Sequence, residues 1–485
     1  MHIARRRVLS IVVLIAMTLL TIFGDLYPGF KLVEVEKKYD EDDTLTFWYT
    51  DEYLDEYIRN AAFIYEEQYG VKVVPTRVSG LEFLEAIQTA TIDNDYGPDL
   101  YIIGSESLEK AYLSGLCEEV TDPDRVLNST YFPEVSLDAI SYSDSKLGYP
   151  LMFECSVFLY NRTLLEQVAA SQSSRTEASY GGGEVSEGGE TQSEETPVEN
   201  LTVDDIIPTS IVGIIEFALN HDMPEGVESF FKWCVTDVLY EYWFAGAYMN
   251  VGGTKGEDRD QIDIYNENSM YCLKVFQDFK QFFSMELDDC SYEDILQEFV
   301  EGKTLFMVAD TDVVNYLETA KRLEENKFEY EYGIASIGML NDTLKSKGLS
   351  TTKLVAINGL SSNKKTAEDF ARFLTVDYSE NLFARCGKFP CKYQENYEYP
   401  QMEDVMRTYE NSVSLPKIVE TSNYWVLSEM VYTKAWDGND VNKLLRELSG
   451  QVKKQIYGVY VEDEYIETPV VDEDYVATEY SSNSD

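Results

Sequence analysis

Short apolar runs along the chain alternate with longer stretches whose apolar residues return every three or four positions. Leu45 to Tyr49 reads as a buried strand, Tyr53 to Tyr69 as an amphipathic helix and Val71 to Val74 as a second strand. Ser79-Gly-Leu-Glu82 has the spacing of a capping box and predicts a helix with Leu81, Leu84 and Ile87 on one face. Pro98 to Ile103 then reads as a strand and Ser107 to Leu116 as a helix. Much later, Leu354 to Asn358 repeats the strand pattern, and a helix with Ala367, Phe370, Phe373 and Leu374 on its apolar face follows a polar loop. Such alternation predicts an α/β fold with a largely parallel sheet.

The pattern breaks in three places. Arg5, Arg6 and Arg7 precede an uncharged run from Val8 to Phe23, the layout of an export signal. As a helix that run would span about 24 Å, short of the roughly 30 Å hydrocarbon core of a bilayer. No Ala-x-Ala site or nearby cysteine follows, so residues 1–24 are read as an export signal or an N-terminal membrane anchor, and 25–43 as a tether. Residues 169–200 contain almost no apolar side chain and are expected to be a disordered insert. The tail 461–485 carries nine acidic residues and no Lys or Arg, and disorder is expected there too.

A chain of 485 residues is too long for one ordinary core and predicts two lobes; 44% hydrophobic residues suffice to pack them. The formal charge of −49 argues against nucleic-acid binding, which needs clustered Lys and Arg, and against an anionic membrane surface. Seven cysteines, at 117, 155, 234, 272, 290, 386 and 391, form no Cys-x-x-Cys pair. A loop disulfide between Cys386 and Cys391 is conceivable on spacing, with buried thiols the expectation elsewhere. With only His2 and His221 present, histidine triads and histidine zinc sites have almost no material, and no metal or cofactor is expected.

Five segments, in order, carry a resemblance: Tyr149-Pro-Leu-Met-Phe-Glu-Cys to Asn161; Asp237 to Gly253, ending in a double glycine; Phe299-Val-Glu-Gly-Lys to Asp310; Lys353 to Leu374; and Trp425 to Leu445. Together they resemble the extracellular (family 1) solute-binding proteins of ABC-type sugar importers, the maltose-binding-protein-like group. The resemblance implies a two-lobed periplasmic-binding-protein-like clamp, each lobe a mainly parallel sheet flanked by helices, with the ligand cleft between them. It also divides the chain: 44–152 plus 337–388 as lobe 1, 153–336 plus 389–460 as lobe 2. The function implied is capture of a carbohydrate, an oligosaccharide, by hinge closure and delivery to the permease subunits in the membrane. The implied protein is an exported monomer, membrane-associated or released. The alternatives are a receptor feeding a membrane sensor and an extracellular glycoside hydrolase.

In open α/β sheets, ligands sit beyond the carboxyl ends of the strands. Trp48, Thr50 and Asp51 end the first strand, Ser105 and Glu106 follow Ile103, and Asp310 closes a later strand. Glu154 lies in the first crossover, and Tyr240, Trp243 and Trp425 in second-lobe segments expected to be helical. Aromatic rings stack on the C–H faces of a sugar while carboxylates and small polar groups meet its hydroxyls. Each has a plainer explanation: tryptophans commonly pack in cores, and Asp51 or Glu106 could simply cap a helix. No catalytic residues are expected. Gly-x-Ser-x-Gly and the phosphate-binding Gly-x-x-x-x-Gly-Lys-[Ser/Thr] are absent, and with 88 acidic residues a carboxylate pair has no specificity.

Overall fold

The computed structural model describes residues 44–93, 97–180, 201–283, 285–287, 291–324 and 327–471. The signal or anchor and tether (1–43), residues 181–200 of the insert, Cys290 and residues 472–485 lie outside the described residues.

The strands that organise the fold are β1 (Thr44–Tyr49), β2 (Lys72–Arg77), β3 (Leu100–Gly104), β4 (Gly148–Asn161), β5 (Ser229–Lys232), β6 (Thr304–Asp310), β7 (Tyr332–Ala335), β8 (Leu349–Ile357), β9 (Phe389–Pro390) and β10 (Val413–Ser414). They run in the order β2-β1-β3-β8-β4-β6-β5, with β7 and β9 also on β4 and β10 on β8. β1 pairs parallel with β2 and β3, and β6 parallel with β5. The strands through the middle, β8 and β4, pair antiparallel with their main neighbours.

β4 links the two halves of the sheet. It has 14 residues, against a usual five or six, and every one is buried except the half-buried Glu154. Its first half, to Cys155, pairs with β8; from Ser156 onward it pairs with β6 and β7. A strand buried on both faces reads as an unbroken apolar run, which is the character of Tyr149 to Tyr160.

Alternation places Leu45, Phe47 and Tyr49 of β1 in the core. There Phe47 meets Phe370 edge-on at 5.9 Å, and Tyr57 donates to the Leu374 carbonyl at 2.6 Å. The helix Lys364–Arg372 buries Ala367 and Phe370 as expected. Elsewhere in the core Trp233 packs between Phe231 and Trp436, at 4.8 and 5.2 Å.

Several local expectations fail for identifiable reasons. The capping box at Ser79 does not form: Glu82 has φ of +52°, so the helix starts at Phe83 and Leu81 is left 83% exposed. Asp237 to Gly253 holds two short 3-10 turns, Val238–Tyr240 and Tyr242–Phe244, instead of a helix. The helix begun at Arg162 runs to Tyr180, into the stretch expected to be disordered; buried Leu164, Leu165, Val168 and Ala169 carry it forward, and no glycine interrupts it before Gly181. Residues 461–471 of the tail lie along the last helix, Val441–Tyr457. Lys453 pairs with Asp463, Arg446 donates to the Asp463 carbonyl at 2.8 Å, and Asn442 to that of Ile466 at 2.8 Å. Acidic side chains found basic partners, which composition could not reveal. Cys386 and Cys391 are both free thiols. Among the described residues no helix is long and apolar enough to cross a membrane, and no group of His, Cys, Asp and Glu is arranged to hold a metal ion.

Candidate functional site

The strand ends converge as the α/β rule requires. Beyond β1, Asp51 accepts from the Tyr53 amide at 2.9 Å and caps a 3-10 turn, leaving Thr50 beside it exposed. Beyond β3 the backbone turns at once into a 3-10 turn, Ser105–Ser107, and the short helix Leu108–Leu113. Thr50, Asp51, Glu106, Lys110, Met152 and Lys353 line a cavity of about 430 Å³. A second hollow of about 270 Å³ shares Glu106, Ser107 and Lys110 with it and is closed on the other side by Pro416, Tyr424 and Trp425. The two form one groove, walled by the β1 and β3 ends on one side and by the helix Tyr424–Trp436 on the other.

A charged cluster lies where the end of β6 meets the middle of β4. The Lys388 ammonium donates to Glu154 Oε1 at 2.8 Å and to Asp312 Oδ2 at 2.7 Å, and stands 5.4 Å from the centre of the Tyr53 ring. Asp310 receives the Tyr240 hydroxyl at 3.1 Å and the Asp312 amide at 3.0 Å. Burial, then the neighbouring charges of Asp312 and Glu154, push its carboxyl up to about 6. Tyr240 stacks on Tyr292 with ring centres 4.9 Å apart.

Buried polar atoms are almost always satisfied, so unsatisfied ones ask for a partner. Ser105 Oγ, Glu106 Oε2 and Asp312 Oδ1 are buried without a hydrogen-bond partner. These oxygens stand at the ends of β3 and β6, where a hydroxyl-bearing ligand would supply donors.

The expected residues therefore divide. Thr50, Asp51 and Glu106 share the first hollow, with Ser105 buried next to Glu106; Glu106 and Trp425 share the second. Glu154, Asp310 and Tyr240 join through Asp312 and Lys388. Trp425 is half-buried. Trp243 is not in the groove: it is 5% exposed, packs on Phe158, Phe231 and Phe244, and gives its indole N–H to the Tyr240 carbonyl at 2.8 Å. Trp48 points to the face of β1 opposite Tyr49, packs partly against the core and lines neither hollow. Sequence reading missed Asp312, Lys388, Lys110 and Lys353. Asp312 lay two residues past a strand end already singled out and was within reach of the same rule; nothing local marks Lys388.

No family model matches the chain. It is 21% identical over 389 residues to a maltooligosaccharide ABC transporter solute-binding lipoprotein of Streptococcus pneumoniae, covering 78% of this chain and 80% of the relative. Among solved structures it superposes on an extracellular solute-binding protein from Staphylococcus aureus in complex with maltose, with a TM-score of 0.67, 15% identity and coverage of 86% and 99%. A maltose-binding periplasmic protein from Listeria monocytogenes in complex with maltose gives 0.61, 19% identity and coverage of 86% and 99%. The Streptococcus pneumoniae protein MalX in complex with maltopentaose gives 0.60, 17% identity and coverage of 84% and 99%. The fold is that of the two-lobed periplasmic-binding proteins. The resemblance to the solute-binding proteins of sugar importers, read first from five segments, is borne out by these matches.

Proposed function

We propose that this protein is an exported solute-binding protein that captures a carbohydrate, of oligosaccharide length, between its lobes and delivers it to the permease of an ABC-type importer. The observation that carries this reading is the groove itself. It pairs the half-buried aromatic Trp425 with the unsatisfied oxygen of Glu106, beside buried, unpartnered Ser105, and it is walled from two sides. A sugar offers an apolar ring face to the one and hydroxyl donors to the others. Ligand contacts made to both walls favour the closed arrangement, and the permease reads that shape. No bond is made or broken, so the protein works as a receptor and not as an enzyme. The basic and apolar N-terminal segment carries export, and either anchors the protein at the cell surface or is removed.

The test is thermal unfolding and tryptophan fluorescence of the full chain against glucose and the maltooligosaccharides from maltose to maltopentaose. A ligand at a hundredfold excess over its Kd stabilises the native state by about 2.7 kcal/mol, or roughly 3 °C for a chain with an unfolding entropy near 0.9 kcal/mol/K. A shift that rises with sugar length, with the sugar recovered intact, is the expected result. A flat response to every saccharide would remove the carbohydrate reading, and release of shorter sugars would replace binding with hydrolysis.

A further inference from the structure

Lys388 stands between the helix Asn381–Cys386 and β9. That helix is held to the first lobe, where Arg385 pairs with Glu56 at 3.1 Å, and β9 pairs with Met152 and Phe153 of β4. Asp312 comes from the other side. It follows β6 and leads into the helix Val313–Ala320. The Asn315 side chain of that helix packs against Gly387 at this point: Gly387 has φ of +70°, and a Cβ on it would lie 2.4 Å from Asn315 Nδ2.

Only 7% of the Lys388 side chain is exposed, whereas 36% of Glu154 and 49% of Asp312 remain accessible. Burial alone would favour loss of the ammonium proton. The charges and hydrogen bonds of Glu154 and Asp312 outweigh it and hold the proton firmly. Lys388 therefore holds two carboxylates, Glu154 and Asp312, with Asp310 beside them through the Asp312 amide, so acidic groups outnumber the one cation in the cluster. Without that cation, Glu154 and Asp312 would repel each other and swing apart.

We propose that Lys388 is a positioning residue: it bridges the lobes to Asp312 when they close and fixes Glu154 and Asp312 as paired acceptors for an uncharged, hydroxyl-bearing ligand. The ligand class rests on the carbohydrate reading above; the bridge between the lobes does not. Opening of the clamp withdraws Asp312 from Lys388, while Glu154 and the Tyr53 ring stay with it. The remaining negative charge disfavours saccharides that carry a carboxylate or phosphate.

The experiment compares the full-length wild type with Lys388→Met and Lys388→Arg. Small-angle scattering is read with and without maltotriose, and maltotriose affinity is measured by fluorescence from pH 5 to 8. Lys388→Met is expected to enlarge the radius of gyration and to weaken binding at pH 7 tenfold or more. The loss should shrink toward pH 5 as Asp310 and Asp312, whose carboxyls burial raises, take up protons, and Lys388→Arg should restore most of the affinity. Asp312→Asn cuts the same bridge more gently and should move the scattering in the same direction, which keeps the test open should Lys388→Met not fold. If the wild type binds no maltotriose while the scattering still changes, the bridge stands and the carbohydrate reading falls. Unchanged scattering in the bridge variants, or a loss of affinity equal at every pH and not restored by arginine, would overturn the proposal.

Discussion

Glu109 offers the sharpest test of how segments far apart in the chain are held together. It sits fully buried on the short helix after β3 and accepts four hydrogen bonds. Arg259 reaches it through two nitrogens at 2.7 and 3.1 Å, the Tyr142 hydroxyl at 2.7 Å and the Val419 amide at 2.7 Å. Arg259 also pairs with Glu420 at 2.8 Å and is 36% exposed. Cutting one partner out of a fully buried ion pair costs about 3–5 kcal/mol. Because Arg259 keeps Glu420 and water, Glu109→Ala should cost about 3 kcal/mol at pH 7. Dividing by an unfolding entropy near 0.9 kcal/mol/K gives a fall in Tm of about 3–4 °C, measurable by scanning calorimetry. Burial alone would raise the Glu109 carboxyl, but the bonds from Arg259, Tyr142 and Val419 more than offset it, leaving it below the ordinary value. A carboxylate lowered in the folded state stabilises above its unfolded pKa of about 4.3, and that stability is lost as pH falls through the folded value. The advantage of wild type over Glu109→Gln should therefore shrink below about pH 4. An unchanged Tm for Glu109→Ala at pH 7, or a wild-type advantage over Glu109→Gln that stays constant down to pH 3, would refute the reasoning.

Three further outcomes are expected. Trp425→Ala should lower maltooligosaccharide affinity about tenfold or more with little change in Tm, since the ring is only half-buried at the groove; equal affinity in a titration would remove Trp425 from the site. Glu241 is 0% exposed, both its oxygens lack partners, and burial, then Cys234, Asp237 and Glu429, raises its carboxyl well above the usual range. Its stabilising share is present below the unfolded pKa and is lost as pH rises toward the folded one, so Glu241→Gln should gain in Tm on wild type between pH 5 and 8; parallel Tm profiles would contradict this. Gly387→Ala puts a Cβ at positive φ against Asn315 and should cost about 1–2 kcal/mol, read as a lower urea midpoint; an unchanged midpoint would mean that Asn315 yields freely.

Some of this was within reach of the chain alone, because period and order are local properties. β1, β8 and the helix Lys364–Arg372 all follow from short-range patterns of apolar residues. The strand β4, with its single charge at Glu154, was reached through the resemblance, and a carboxylate inside such a strand needs a reason. The residues just past the strand ends were found by rule, and three of them, Thr50, Asp51 and Glu106, do line the groove. What a tryptophan faces was not legible: Trp243 and Trp425 both occur in aromatic-rich second-lobe segments, and one is core while the other meets the groove.

Tertiary structure alone decided which charges meet. Lys388 is 234 residues from Glu154 and 76 from Asp312, and Arg259 is 150 from Glu109. In a chain with 39 basic and 88 acidic residues, spacing cannot choose such partners. The same holds for the tail, where Asp463 finds Lys453 and Arg446 although its composition predicts disorder. The sequence by itself determined many of the elements, because hydrophobic period acts over a few residues at a time, and the two-lobed clamp was legible in it through the resemblance that five segments carry. Only the folded chain decided the site, because low dielectric and fixed geometry turn ordinary surface residue types into buried, partnered charges.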